Sequence, residues 1–373
     1  MKVMILTTHI NVGGIGVYTT MLARHLKDSG VEPIVVSAGG DLEPVLAENG
    51  IRHITADIRT KSEFGPKMWK SLPFLARTVR EEGIDLVHAQ TRVCQVAARL
   101  LKKISKVPYV ATCHGFFNHR RVSRRIFPCW GDRTIAISSS VKQHLAVDLG
   151  VDASKIDVVY NGIETSRYMD MPAGKDGRIL KDAGFDPQTT VIGALGRLSV
   201  VKGYTYLVEA FSMVLSGGLD CRLMLVGEGP EKKALREKAE RLGVSDKVII
   251  VPGGGELKRF FSVMDVFCMP SLNEGLGLAL MEAMASGRSC VASRIGGLAE
   301  LIDDGDNGLL VPPADPGALA GAIERVLGDR DMASGMAAAA RKKAMKEFDI
   351  KESVDRTIGV YEKVMGKREK YRG

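Results

Sequence analysis

The feature that most restricts the fold is a regular alternation of short apolar segments and helical segments, which runs to Ile163 and then starts again. The predicted strands are residues 2–7, 33–37, 51–55, 84–88, 109–113 and 134–137 in the first run, and 191–195, 222–226, 248–251, 266–269 and 290–292 in the second. Short buried strands separated by helices are typical of a parallel sheet with helices on both faces. Such sheets bind ligands at the carboxyl ends of their strands, so functional residues are expected directly after strands.

The length of the chain indicates two domains. A chain of 373 residues is too long for one ordinary hydrophobic core. The segment Met169–Gly177 is rich in Met, Pro, Gly and Lys, and it resembles a linker. We therefore predict an α/β fold with two doubly wound, Rossmann-like domains at residues 1–165 and 166–349. The C-terminal helix, 350–373, is expected to pack back on the first domain.

Several classes of protein are excluded by composition. No apolar run approaches the ~20 residues needed to span a bilayer, and the N-terminus reads as a first strand rather than as a signal peptide. The six cysteines lack the spacing of metal ligands and mostly lie in apolar runs. We interpret them as reduced core residues of a cytoplasmic protein.

The whole chain has a net charge of +8, and its basic residues are concentrated in the first part. Residues 86–131 contain no acidic residue and nine basic ones: Arg92, Arg99, Lys102, Lys103, Lys106, Arg120, Arg121, Arg124 and Arg125. A run of charge is commonly a solvated face. The interleaved apolar side chains are Phe116, Phe117, Ile126, Phe127 and Trp130. Mixed basic and aromatic residues favour contact with an anionic membrane surface, and that is the prediction for this stretch.

The stretch from Ser271 to Gly287 combines a loop carboxylate, a glycine turn and a helix. Glu274 and the following glycines precede a segment of strong helix formers, so backbone N–H groups at a helix N-terminus are predicted to be free to bind an anion. Glu282 follows on the helix, about 7.5 Å further along its axis than the helix start. Two carboxylates at this separation could bind hydroxyl groups at two ends of a phosphate-bearing ligand, although a surface helix with two Glu residues is also common.

Two other loops carry candidate ligand-binding groups. Arg197 and Lys202 follow the first strand of the second domain, where a planar guanidinium and a mobile ammonium could bind a diphosphate. The turn Gly13-Gly14-Ile15-Gly16 lets the backbone approach a ligand. Its spacing is not Gly-x-Gly-x-x-Gly, and no acidic residue ends the second strand at Ser37, which argues against NAD.

These loops together resemble those of a known enzyme family. The ordered set is Gly13-Gly14, Arg197 with Lys202, Glu274 followed by Glu282, Asn161-Gly-Ile163, Gly227-Glu-Gly-Pro230, Gly296-Gly297 with Glu300, and Gly308-Leu-Leu-Val311. It resembles the retaining nucleotide-sugar glycosyltransferases of glycosyltransferase family 4 over nearly the whole chain. The resemblance implies the GT-B fold, in which two Rossmann-like domains face each other across a cleft, with the acceptor bound by the first domain and the donor by the second.

The resemblance also implies a role for each matching residue. Glu274 should bind hydroxyls of the donor sugar, and the backbone of Gly275, Leu276, Gly277 and Leu278 should contact sugar and phosphate. Glu282 should bind the ribose, and Arg197 and Lys202 should neutralise the diphosphate. In the first domain, Gly14 should direct its N–H at the donor and His114 should lie near the reacting sugar, although a strand-end histidine can also be purely structural. The backbone around Gly253 should contact the base.

No metal or other cofactor is expected. A Mg²⁺-dependent transferase would carry an Asp-x-Asp motif at a strand end, and the two matches, Asp304-Gly-Asp306 and Asp329-Arg-Asp331, are interpreted as caps. The resemblance implies retention at the anomeric carbon, but no second carboxylate is placed like a glycosidase nucleophile.

The expected protein is therefore a hexosyltransferase that uses a nucleoside-diphosphate sugar, UDP before GDP or ADP. Its acceptor is expected to be a glycan or glycolipid of bacterial lipopolysaccharide or another envelope polymer, reached at the inner face of the membrane, and no nucleic-acid partner is expected. One alternative is a nucleotide-sugar epimerase of the same fold. The other is a non-catalytic protein that binds sugar nucleotides or glycans.

Overall fold

The chain folds into two compact units in a computed structural model that describes residues 1–60, 62–117, 127–171, 175–182, 184–253 and 257–369. The first unit combines Met1–Gly162 with Ile350–Gly373, and the second is Ile163–Asp349. The first division of the chain lies a few residues before the predicted position 165. Part of the predicted linker, 172–174, lies outside the described residues.

A seven-stranded parallel sheet forms the centre of the first unit. Its strands are β1 (Lys2–Leu6), β2 (Glu32–Ser37), β3 (Arg52–Thr55), β4 (Leu86–Ala89), β5 (Tyr109–Cys113), β6 (Arg133–Ala136) and β7 (Ile156–Val158), in the spatial order β3-β2-β1-β4-β5-β6-β7. The helices are α1 (Gly14–Asp28), α2 (Glu43–Glu48), α3 (Pro66–Glu81), α4 (Arg92–Ser105), α5 (Ser139–Gln143) and the C-terminal α14 (Ile350–Glu369). Apolar strand residues such as Met4, Ile34 and Val87 pack with α3 and α4 in one core.

The second unit repeats this arrangement with six parallel strands. They are β8 (Thr190–Leu195), β9 (Cys221–Val226), β10 (Val248–Val251), β11 (Val266–Met269), β12 (Ser289–Ser293) and β13 (Leu309–Val311), in the order β10-β9-β8-β11-β12-β13. The helices are α6 (Gly177–Asp182), α7 (Tyr204–Ser216), α8 (Lys232–Arg241), α9 (Lys258–Val263), α10 (Leu278–Ala285), α11 (Leu298–Leu301), α12 (Pro316–Gly328) and α13 (Arg330–Glu347). The prediction of two doubly wound α/β halves is confirmed, and β7 and β13 are additional strands at the sheet edges.

Each sheet reverses its strand order at one point. In the first unit the chain builds outward from β1 to β3 and then returns to the other side of β1 with β4. In the second unit the corresponding neighbours are β8 and β11. The loops that leave such neighbouring strands diverge to opposite faces of the sheet, which opens a crevice at their carboxyl ends. These two positions are therefore where ligands are expected to bind.

The C-terminal helix α14 is an integral part of the first unit. Tyr361 is fully buried, and the Ser353 side chain lies 3.0 Å from the hydroxyl of Tyr18 on α1. At the surface, the Lys363 ammonium donates to the carboxylate of Asp157 at 2.8 Å. The last helix thus completes the layer of helices that covers the first sheet.

The described part of the basic stretch predicted to face a membrane is divided between the core and the surface, where Lys103 and Lys106 are exposed. Arg92 is buried, its guanidinium donates to the Glu63 carboxylate at 3.0 Å, and it lies over the ring of Trp130, which is also buried. Lys102 forms an ion pair with Asp132. Arg92 is directed inward because a helix that packs against α3 must turn one of its faces to the core. The membrane contact of this stretch stays a prediction. Arg120, Arg121, Arg124, Arg125 and Ile126 lie outside the described residues.

Two composition-based expectations can be compared directly with the structure. All six cysteines are buried and none of the six forms a disulfide, as predicted. Across the described ranges, no helix combines the length and the apolar character that crossing a bilayer requires.

Candidate functional site

The Lys202 and Glu274 loops meet at the crevice of the second unit. Lys202 follows β8 and Glu274 follows β11, and the Lys202 ammonium forms an ion pair with the Glu274 carboxylate. The backbone brings them together: the Leu272 N–H donates to the Val201 carbonyl at 2.8 Å. Gly203 makes this approach possible, because it has φ +67° and a Cβ there would lie 2.0 Å from the Pro270 carbonyl oxygen.

The ion pair is partly shielded from water. Both side chains are 19% exposed, and the buried hydroxyl of Tyr204 lies nearby. Burial raises the pKa of Tyr204, and the negative charge of Glu274 adds to the effect, so this phenol stays neutral. Arg197 is exposed on the same loop as Lys202, and the described residues supply no ion-pair partner for it. The site therefore offers one compensated cation and one uncompensated cation.

The glycine turn after Glu274 leads into α10. Gly275, Leu276 and Gly277 are buried, and the helix begins at Leu278. Gly277 has φ +105°, and a Cβ there would lie 2.5 Å from the Leu298 side chain, so this entry to the helix requires glycine. The first turn of a helix leaves backbone N–H groups without intrahelical partners, and these groups can bind an anion.

Glu282 lies on α10 with a strongly perturbed carboxyl. Burial raises the pKa of Glu282 to about 7, whereas the hydroxyl of Tyr168, which donates to the carboxylate, and the charge of Arg167 lower it. Tyr168 ends the short helical turn Thr165–Tyr168, and the Arg341 side chain donates to its carbonyl at 3.1 Å. Sequence reasoning missed Tyr168, and only its position soon after the Asn161-Gly-Ile163 motif could have indicated it.

The loop containing Gly253 lies beside the turn that follows β9. Gly227 donates its N–H to the Val251 carbonyl at 2.9 Å, and a Cβ on Gly253 would lie 3.4 Å from the Gly227 Cα. The Gly227 turn in turn borders the Arg197 loop, because Leu198 donates its N–H to the Glu228 carbonyl at 2.9 Å. Gly253 and Arg197 therefore both lie at the carboxyl ends of the strands of the second sheet.

His114 and Gly14 lie in the first unit. His114 directly follows β5, and its Nε2 is 2.7 Å from the Oε1 of Gln90. Gly14 starts α1, on which the Tyr18 ring contacts the His114 ring edge-to-face at 5.8 Å. Burial lowers the pKa of His114 to about 4, so the ring is neutral at pH 7. Gln90 was missed by sequence reasoning, although its position directly after β4 is a signal.

The structure divides the predicted residues between the two sheets, near the carboxyl ends of their strands. Two of them, Gly14 and His114, belong to the first unit, and the others belong to the second: Arg197, Lys202, Gly253, Glu274, Gly275, Leu276, Gly277, Leu278 and Glu282. Their roles in catalysis and binding remain predictions.

The two Asp-x-Asp matches have structural roles. Asp329 caps α13, since its carboxylate accepts from the Met332 N–H at 2.9 Å. Asp304 was expected to be a cap but lies at no helix start; its carboxylate accepts from the Leu310 N–H at 2.9 Å and holds the turn before β13. In the described part of the chain, no three His, Cys, Asp or Glu side chains are grouped as metal ligands.

Comparisons with known proteins agree with this architecture. Residues 12–167 match the family model described as Glycosyltransferase Family 4, and residues 176–343 match the model described as Glycosyl transferases group 1. The chain is 25% identical to the N-acetyl-alpha-D-glucosaminyl L-malate synthase of Bacillus anthracis, with 96% of each chain covered. It is 27% identical to the UDP-Gal:alpha-D-GlcNAc-diphosphoundecaprenol alpha-1,3-galactosyltransferase of Escherichia coli, with 79% of each covered.

Among solved structures, the Anabaena protein HepE in complex with UDP and glucose resembles this chain with a TM-score of 0.87 at 22% identity. The likeness covers 97% of this chain and 100% of the other, so it extends through both sheets. With one family model on each unit and one fold shared along the whole length, the chain belongs to glycosyltransferase family 4 and has the GT-B fold.

Proposed function

We propose that the protein transfers a hexose from a nucleoside-diphosphate sugar, with UDP the favoured nucleotide, to an acceptor hydroxyl with retention at the anomeric carbon. The observation that carries the proposal is the Lys202–Glu274 pair at the crevice of the second sheet, next to the start of α10. This crevice combines a cation, a carboxylate and free backbone N–H groups. Such a set suits a ligand that contains both hydroxyls and a diphosphate.

The charges suggest how such a site accelerates transfer. Breaking the bond between the anomeric carbon and phosphate leaves an electron-poor sugar and a more negative diphosphate. Lys202, Arg197 and the N–H groups at the start of α10 would stabilise that negative charge more in the transition state than in the ground state. Glu274 would be released from Lys202 when the diphosphate takes its place, and it could then accept hydrogen bonds from sugar hydroxyls.

UDP is favoured by the relatives rather than by the site. HepE is seen with UDP and glucose, and the Escherichia coli relative is named for a UDP-galactose donor. Retention rests on the family resemblance. We propose that the reaction needs no metal cofactor. The function is proposed to take place in the cytoplasm.

A thermal-shift screen tests the donor. A ligand that binds only the folded state raises its stability by mass action, by about 2.7 kcal/mol at a concentration of 100 Kd. We expect a UDP-sugar to raise Tm by several degrees, and GDP- and ADP-sugars to raise it less. If no nucleotide sugar changes Tm or is consumed in the presence of glycan acceptors, the proposed function is wrong.

The same samples separate the alternatives by mass spectrometry. An epimerase would convert or hydrolyse the donor when incubated alone, whereas a transferase requires an acceptor for efficient turnover. A binding protein would raise Tm without any turnover. Membership of a glycosyltransferase family favours the transferase over both.

The acceptor is proposed to be a lipid-linked glycan of the cell envelope, which the Escherichia coli relative's diphosphoundecaprenol substrate supports. We also propose that the protein contacts an anionic bilayer, and that α3 rather than the buried part of α4 provides the contact. On α3, Trp69 is 49% exposed and Phe74 is 43% exposed. They share one stripe of the helix with the exposed Lys70, Pro73 and Arg77.

The double substitution Trp69→Ala/Phe74→Ala tests this contact. Removing two large apolar side chains should reduce co-sedimentation with phosphatidylglycerol vesicles at least tenfold, because each fully buried aromatic contributes roughly 1.5–3 kcal/mol. The rate with a short water-soluble acceptor should be unchanged. Met213→Ala, at an exposed apolar residue of the second unit, is the control and should retain binding. Equal binding of the unaltered protein to neutral and anionic vesicles would refute the membrane contact.

A further inference from the structure

The crevice of the first unit contains a buried chain of polar side chains that ends on His114. Gln90 follows β4 and His114 follows β5, and these strands are parallel neighbours. The Gln90 N–H donates to the carbonyl of Leu6 at the end of β1, at 2.9 Å. Gln90 therefore spans the point where the strand order reverses, and its side chain is almost completely buried there.

The contact between Gln90 and His114 determines which ring nitrogen carries the proton. The Gln90 Oε1 lies 2.7 Å from the His114 Nε2. A carbonyl oxygen can only accept, so the Nε2 of His114 must donate. A neutral imidazole has one N–H, and consequently the Nδ1 of His114 carries a lone pair and can accept a hydrogen bond.

The nitrogen end of the Gln90 amide lies beside His88. The amide nitrogen of Gln90 lies 3.2 Å and 3.3 Å from the two ring nitrogens of His88. These nitrogens are paired with the Tyr361 hydroxyl at 2.6 Å and with the Thr112 hydroxyl at 2.7 Å. Tyr361 belongs to α14, so a residue of the C-terminal helix contacts His88. His88 lies beside the Gln90 amide, and Gln90 in turn forms a hydrogen bond with His114.

The groups around His114 carry no charge near neutral pH. They are His88 on β4, which interacts electrostatically with His114, Tyr18 on α1, whose ring contacts His114, and Tyr361 on α14, which contacts His88. Burial lowers the pKa of His88 to about 3 and raises the pKa of both tyrosines. With no anion among these neighbours to favour an imidazolium, the ring is expected to remain neutral from pH 6 to 9.

We propose that Gln90 is a positioning residue that holds His114 in its Nε2–H tautomer, so that Nδ1 accepts a hydrogen bond from a hydroxyl of the bound sugar or acceptor. This inference rests on the proposed function, because His114 is assumed to lie near the reacting sugar. His88 and Tyr361 act one step further back, since His88 contacts the Gln90 amide and Tyr361 contacts His88.

The tautomer is measured first, without substrate, by nitrogen NMR of the full chain with labelled histidine at pH 7. The His114 signal is identified by its loss in His114→Asn. We expect a protonated Nε2 and an unprotonated Nδ1 in the unaltered protein, and a mixture of tautomers in Gln90→Leu. An Nδ1–H ring in the unaltered protein, or an unchanged tautomer in Gln90→Leu, would overturn the proposal.

Kinetics then test the link to the reaction. Gln90→Leu should lower kcat/KM about fivefold to tenfold, the value of one neutral hydrogen bond. Gln90→Glu, which keeps the shape if the leucine variant does not fold, should raise the pKa of His114 and introduce a loss of activity below pH 7 that the unaltered protein lacks. The matched control is Gln95→Leu, because Gln95 is equally buried and its side chain donates to the Thr112 carbonyl at 3.0 Å.

The outcomes separate this inference from the proposed function. Equal losses in Gln90→Leu and Gln95→Leu, with no acidic limb in Gln90→Glu, would mean that Gln90 is only structural. If the unaltered protein transfers no sugar at all, the proposed function fails and the catalytic part of the inference fails with it. The NMR result decides the geometry in either case.

Discussion

Lys202→Met should lower kcat about 10²- to 10³-fold while the protein remains folded. The substitution removes the ammonium that is proposed to neutralise the diphosphate, and loss of one preorganised donor to a developing charge typically has an effect of this size. Glu274→Gln should also abolish most turnover, because an amide is a weaker acceptor for sugar hydroxyls than a carboxylate. Initial rates with a saturating donor and acceptor measure both effects.

Stability separates the ion pair from its role in catalysis. Each single substitution leaves a charge in a site where both side chains are 19% exposed, so each should destabilise the second unit. In Lys202→Met/Glu274→Gln neither charge remains, and the double variant should be more stable than the sum of the single effects predicts, by about 1–3 kcal/mol. Urea denaturation provides the free energies of unfolding.

A matched control exists within the same unit. Lys238 and Glu209 form an ion pair whose side chains are 24% and 26% exposed, and it lies on α8 and α7. Lys238→Met and Glu209→Gln should show similar or smaller coupling in stability and no loss of kcat. If kcat falls equally for the two pairs, or if Lys202→Met is fully active, the assignment of Lys202 to the diphosphate is wrong.

Glu282→Gln should stabilise the protein above pH 7 and weaken donor binding. Burial raises the pKa of Glu282 from 4.5 to about 7 in the folded state. Between these values the folded protein keeps a proton that the unfolded chain has released. The contribution of Glu282 to stability is therefore fully present below pH 4.5 and is lost as the pH rises through 7.

Glutamine is uncharged at every pH, so the substitution removes this loss. The free energy of unfolding of Glu282→Gln should exceed that of the unaltered protein by about 1–3 kcal/mol at pH 8, and the difference should shrink towards pH 5. Donor affinity of the unaltered protein should rise as the pH increases through 7, because the ionised carboxylate binds ribose hydroxyls better. Glu237→Gln, at an exposed residue of α8, is the control. A stability difference that does not change with pH would contradict the buried carboxyl.

The sequence was sufficient to predict most strands because the two doubly wound sheets bury both faces of each strand. Apolar runs such as 109–113 and 266–269 were therefore predicted with the bounds that the structure has. The edge strand β13 was not predicted, since three apolar residues after Gly308 are too few to produce a pattern. The inward direction of Arg92 was also missed, because it depends on Glu63 and Trp130, which are distant in the sequence.

The candidate site could be predicted by residue type but not by partner. The resemblance identified Lys202 and Glu274, yet their ion pair depends on β8 and β11 being neighbours, which only the strand order reveals. Gln90 and Tyr168 were missed for a related reason. A single polar residue after a strand or in a short turn has no periodicity, so its position alone does not identify its partner, His114 or Glu282.

The division of the chain affects the order in which the protein can be made. Ile163 donates its N–H to the Phe348 carbonyl at 2.8 Å, so the second unit begins and ends at one place and is inserted within the first. During synthesis the ribosome releases all of the insert before α14 emerges. Until α14 emerges, Tyr18 and His88 lack their partners Ser353 and Tyr361, whereas the second unit can already fold. The N-terminal part of the nascent chain is therefore the part that needs protection from aggregation.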